Sequence, residues 1–89
     1  MLSYSSQFRG DLKRLRRSGR HKYEELEEVL KYLDKGQPLP ARYKDHQLAG
    51  EWDDHRECHI KPDWLLVYRP LAKGLIQLVT TGSHADIFG

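Results

Sequence analysis

The stretch RECHIKPDWLLVYRPLAKGLIQLVT, residues 56–80, decides the fold. Three runs within it, Arg56 to Ile60, Trp64 to Arg69 and Leu75 to Thr80, carry the branched and aromatic side chains typical of strands. The breaks between them, Lys61-Pro62-Asp63 and Pro70-Leu71-Ala72-Lys73-Gly74, contain proline or glycine. Connections this short make the three strands antiparallel neighbours, because a parallel return needs a long crossover. In the first strand Cys58 and Ile60 share one face, while Glu57 and His59 share the other. One side of the sheet is therefore expected to be apolar, and the other is available for polar chemistry.

Upstream, Leu2-Ser3-Tyr4 reads as a short strand. Ser5 or Ser6 then caps a helix whose apolar positions Phe8, Leu12 and Leu15 recur at helical spacing and which stops near Ser18-Gly19. A second helix is predicted from about His21 to Asp34, with Leu26, Val29, Leu30 and Leu33 in one stripe and acidic residues in its early turns. Gly36 ends it. Gln37-Pro38-Leu39-Pro40 is an extended connector, since proline lacks the backbone donor and restricts its neighbour, and Tyr43 to Trp52 reads as irregular. The predicted order is βααβββ, an α+β fold in which a helical hairpin packs on one face of a small, mainly antiparallel sheet. The opposite face is left free to carry a site. A chain of 89 residues suits a single domain, residues 1–89.

Cys58 is the only cysteine, so no internal disulfide is available and a cytoplasmic setting is expected. No apolar run approaches the length of a membrane span, and Met1 to Gly10 lacks the apolar stretch of a signal peptide. The net charge of +2 conceals an asymmetry: residues 1–44 hold eleven Lys/Arg against six Asp/Glu, and residues 45–89 hold four against seven. Between Arg9 and Lys22, seven basic residues stand against Asp11 alone. That cluster suits a polyanion such as nucleic acid, and it also reads as a solvated helix face.

His46, His59, Asp63 and His84 lie in or beside the predicted sheet. Cleaving RNA without a metal requires a base for the ribose 2′-hydroxyl, an acid for the leaving 5′-oxygen and a group that stabilises charge on the phosphate. Histidine can serve the first two roles near neutral pH. Each residue also has an ordinary reading: Asp63 favours a turn after Pro62, His84 is a surface residue of the tail, and His46 caps a turn. His21 and His55 read as solvated. His55, Cys58 and His59 have a spacing that converges on a helix but diverges on a strand, so no metal site is expected, and Cys58 reads as a small core residue. Trp64 reads as core. Phe88, with little chain left to cover it, is the better candidate for stacking on an exposed RNA base.

Three segments resemble the YafQ branch of the RelE/ParE toxin superfamily: Leu39-Pro40-Ala41-Arg42-Tyr43-Lys44-Asp45-His46, then His59-Ile60-Lys61-Pro62-Asp63-Trp64, and Thr81-Gly82-Ser83-His84-Ala85-Asp86-Ile87-Phe88-Gly89. Each is weak alone, but their order and spacing together are specific, and the resemblance covers nearly the whole chain. It implies a RelE-like fold and the toxin half of a toxin–antitoxin pair. Such a toxin cuts messenger RNA in the ribosomal A site with the RNA's own 2′-hydroxyl and needs no cofactor. Its partners would be a cognate antitoxin, the ribosome and mRNA. The family's functional positions match His46, His59, Asp63, Trp64, His84 and Phe88, the histidines and the aspartate in acid–base and positioning roles and the aromatics placing nucleotides. The basic first helix, with Arg14 and Arg17, is expected to meet ribosomal RNA.

One position departs from the pattern. The family usually carries arginine four residues before the final histidine, where this chain has Thr80. A hydroxyl cannot reproduce the charge and fork of a guanidinium on a phosphate, so weak activity is expected. Two other classes remain open: a ParE-like gyrase-inhibiting binding toxin and a noncatalytic RNA-binding module. The histidine and aspartate constellation weighs against both.

Overall fold

Ser5 starts the first helix: its backbone is extended and its hydroxyl accepts the Phe8 N–H at 3.0 Å. In the computed structural model, which describes residues 1–89, this cap joins β1 (Leu2–Tyr4) to α1 (Ser6–Ser18). Gly19 closes α1 in the left-handed region, at φ +66°. The second helix, α2 (Tyr23–Asp34), begins at Tyr23 rather than at His21, because Lys22 is still extended. There follow β2 (His46–Gln47), β3 (Arg56–Lys61), β4 (Trp64–Pro70), β5 (Ile76–Gly82) and α3 (His84–Phe88).

The strands form one sheet in the order β1-β5-β4-β3-β2, antiparallel except for β1 beside β5. The hairpin and the three long strands thus match the sequence reading, and β2 and α3 are additions to it. A strand of two exposed residues inside an apparently irregular stretch has no periodicity to reveal it. α3 is marked by a reciprocal capping box between Ser83 and Asp86. No helix is long and apolar enough to cross a membrane.

The sheet is organised around β4, whose residues Trp64 to Tyr68 are all buried. Trp64, Leu66 and Tyr68 point into the main core with Cys58, Ile60 and Leu78, where α1 contributes Phe8 and α2 contributes its apolar stripe. Leu65 and Val67 alternate to the opposite face, and each is 0% exposed. That face is therefore not the open surface expected from sequence. It is partly roofed by α3, which packs on β5 and sets His84 beside His59, and by Trp52, whose ring meets Phe88.

A bulge alters the parity of β5. Tyr68 pairs with Leu78 and Val67 with Thr80, leaving Val79 as the extra residue. Thr80 consequently does not share the face of Leu78. Beyond Tyr4 the outer edge of β5 lacks a strand partner, and side chains from the start of α1 take over. The Ser5 hydroxyl donates to the Val79 carbonyl at 2.7 Å. Asp11 Oδ2 accepts the Thr81 N–H at 3.2 Å and the Thr80 hydroxyl at 2.5 Å. Its Oδ1 accepts the Gln7 amide at 2.9 Å and pairs with Arg14 at 3.2 Å. Asp11 is 1% exposed, and burying a carboxylate this deeply is tolerable only because donors meet both of its oxygens.

Asp11→Ala is expected to lower folding stability by about 1–3 kcal/mol, because it leaves a buried N–H and a buried hydroxyl without their acceptor. Trp64→Ala should cost more, about 3–5 kcal/mol, from the cavity it opens. Urea denaturation of both variants checks the amounts and their order.

Candidate active site

Strand pairing gathers the polar residues. β2 places His46 opposite Glu57, and His59 is the next residue of β3 on Glu57's face. Glu57 is 4% exposed, with Oε1 at 3.1 Å from His59 Nε2 and 4.0 Å from His46 Nε2. Asp63 lies in the turn between β3 and β4. Its Oδ1 accepts the His84 backbone N–H at 3.2 Å and lies 3.4 Å from His84 Nδ1. The ring centres of His46 and His59 are 6.1 Å apart, those of His59 and His84 5.8 Å, and those of His84 and Phe88 6.2 Å. Four residues from three separate segments thus form one row that ends on an aromatic ring.

Their partners make the three imidazoles inequivalent. His46 Nδ1 lies 2.8 Å from the Lys44 carbonyl, which can only accept a hydrogen bond. The neutral ring therefore carries its proton on Nδ1 and presents an unprotonated Nε2. His59 directs Nε2 at a carboxylate and so carries a proton on that atom. His84 turns Nδ1 toward Asp63 and keeps Nε2 for the solvent side. Backbone geometry supports both ends of the row. Lys44 adopts φ +50°, which brings its carbonyl under His46. At Gly82, φ is +154° and a Cβ would lie 2.9 Å from Asp86 Oδ2, so glycine lets β5 run directly into α3. Hydrogen bonding from the Ser83 backbone holds the Asp86 carboxyl below the usual carboxylate range, with help from the charges of Arg14 and Arg20.

Other expectations need correction. Trp64 offers no face to RNA: it is 1% exposed, its indole N–H donates to Thr81 Oγ1 at 3.0 Å, and the His21 ring stacks on it at 4.4 Å. His21 is thus a cover for the core rather than a solvated residue. His55 is not solvated either, being tucked edge-on against Trp52. Thr80 is 8% exposed, with its hydroxyl bound to Asp11 rather than directed at the imidazoles. Arg14 pairs with Asp11 while its side chain stays 55% exposed, and Arg17 is exposed as well. Cys58 and His59 point to opposite faces, and burial pushes the Cys58 thiol up, as befits an inert core residue. Phe88 is 42% exposed, as its position near the end of the chain led one to expect. Sequence reasoning missed Glu57 and Trp52. Glu57's alternation with His59 marks its face but not its burial, and nothing in the local pattern marks Trp52.

The whole chain, residues 1–89, matches the family of YafQ, a bacterial toxin of type II toxin–antitoxin systems. It is 40% identical to the mRNA interferase toxin YafQ of Escherichia coli K12, over 99% of this chain and 95% of that protein. The crystal structure of YafQ from E. coli BL21(DE3) superposes with a TM-score of 0.92 at 36% identity, covering 100% of this chain and 98% of the other. The toxin in the E. coli DinJ–YafQ complex superposes with a TM-score of 0.88 at 37% identity, over 100% and 98% of the two chains. A match along the entire sequence, carried by the same fold, means that this chain belongs to the YafQ toxin family.

Proposed function

We propose that this chain is a ribosome-dependent endoribonuclease, the toxin of a toxin–antitoxin pair, which cuts mRNA in the A site by acid–base catalysis with the RNA 2′-hydroxyl as nucleophile. The observation that carries the reading is the row of His46, His59 and His84, in which each ring is held by a different acceptor. His46 Nε2 suits the base that takes the 2′-hydroxyl proton. His84, oriented by Asp63 through Nδ1, suits the acid that protonates the leaving 5′-oxygen from Nε2. Between them His59, whose Nε2–H is held by Glu57, can donate from Nδ1–H to a phosphate oxygen when its ring is protonated. Phe88 and its neighbour Trp52 offer aromatic surface for an unstacked base. The basic face of α1, including Arg17, suits ribosomal RNA.

Such a toxin works in the cytoplasm, where a cognate antitoxin must restrain it. E. coli YafQ is solved in complex with DinJ. The partner here would cover the imidazole row and the basic face of α1. Thr80 leaves the phosphate without the cation its family usually places there, so the rate depends on whether another cation reaches the site.

Two measurements test this reading. On programmed, translating ribosomes the protein should cut mRNA at defined codon positions; inhibition of DNA supercoiling without cuts would instead support a gyrase-directed toxin. His46→Ala and His84→Ala should each slow single-turnover cleavage by about 10²–10⁴-fold. A substrate with sulfur in place of the leaving 5′-oxygen needs no acid, so it should rescue His84→Ala and not His46→Ala. Rescue of both or of neither would refute the assignment of roles. Coexpression with the neighbouring antitoxin should yield a stable complex and restore growth.

A further inference from the structure

A groove of about 320 Å³ borders the imidazole row without being part of it. α1 and the loop after it line one side with Arg14, Arg20 and His21, and Asp63, Ser83 and Asp86 line the other. Both carboxylates are already engaged: Asp63 holds His84, and Asp86 accepts the Ser83 N–H at 3.0 Å. The cations are less committed. The Arg14 side chain is 55% exposed and uses one terminal nitrogen on Asp11, and Arg20 forms no salt bridge.

Asp11 ties this groove to the unusual strand position. Its Oδ2 binds the Thr80 hydroxyl and its Oδ1 binds Arg14, so the two side chains share one buried anchor. A guanidinium held by Asp11 from α1 therefore stands beside position 80 of β5. We propose that Arg14, together with Arg20, supplies the positive charge that Thr80 does not, making this groove a binding site for a backbone phosphate of the RNA next to His84. The inference rests on the ribonuclease reading above. A guanidinium binds phosphate through two parallel hydrogen bonds, and an anchored one loses less freedom in doing so. Arg14 keeps its remaining N–H groups for that contact while Asp11 fixes its direction.

The test combines binding and cleavage for Arg14→Gln and Arg20→Gln, each with and without Thr80→Arg. The binding probe is a 2′-O-methylated RNA hexanucleotide, which cannot be cut, followed by fluorescence anisotropy across a salt series. Each single variant should weaken binding by about tenfold and reduce the salt slope by about one. Each should also slow single-turnover cleavage by more than tenfold. Thr80→Arg should restore binding and cleavage to the Arg14→Gln variant. Parental affinity and slope in both single variants would overturn the groove, and a loss that Thr80→Arg leaves unrestored would overturn the substitution of one cation for the other. Arg20 does not touch Asp11, so its variant remains informative if Arg14→Gln loosens the fold. His84→Ala separates the two readings: if it cuts as fast as the parent, the ribonuclease site is wrong, whereas the hexanucleotide affinities judge the groove independently.

Discussion

The carboxylate of Asp11 is the constraint on which the rest of this small fold depends. A sheet edge that runs past the end of its neighbouring strand exposes backbone groups, and burying them unpaired would cost about 1–3 kcal/mol each. β1 stops at Tyr4, and Asp11 takes the Thr81 N–H beyond it. That contact fixes where α1 lies along β5, and hence where Phe8 enters the core beside Leu78. It also fixes the register of the last strand just before Gly82 turns the chain into α3. The same anchor thus sets the packing of the main core on one side and the approach to His84 on the other.

Sequence patterns revealed what repeats and concealed what depends on a single pairing. The strands of residues 56–80 and the helix stripes were legible because each is defined by several residues in phase. β2 was not, since His46 gains its place only by standing opposite Glu57 on another strand. Alternation along β3 correctly separated His59 from Cys58. Along β5 the bulge at Val79 shifted Thr80 out of phase with Leu78, and no local composition marks such a bulge. The free sheet face was misjudged for a related reason: parity says which way Leu65 and Val67 point, but not that Trp52 and α3 fold back over that side.

The candidate site has a divided origin as well. His46, His59, Asp63 and His84 could be singled out because the resemblance and their chemistry pointed to the same four residues. Their inequivalence could not be foreseen. It follows from a carbonyl delivered by the left-handed backbone of Lys44, from a buried Glu57, and from an Asp63 that also accepts the first N–H of α3. A histidine's identity says only that it can exchange a proton, whereas its hydrogen-bond partner decides which nitrogen does so.

Apolar residues of β4 flank the inner part of the row. Leu65 lies opposite His59 and Val67 opposite Glu57, both fully buried, so Glu57 and His59 have apolar neighbours across the strand pair. In that setting a carboxylate without donors would be costly, and Glu57 is sustained by the imidazole it orients. Glu57 and His59 therefore depend on each other, much as Asp11 depends on its ring of donors at the edge of β5. Charge in this fold is admitted below the surface at two places: at Asp11 the donors come from both α1 and β5, and at Glu57 the donor is His59 of the same strand. The contact of α1 with β5 consequently cannot loosen without leaving the Asp11 carboxylate buried and short of donors. The end of β5 that leads into His84 is thus held in place by the stability of the fold itself.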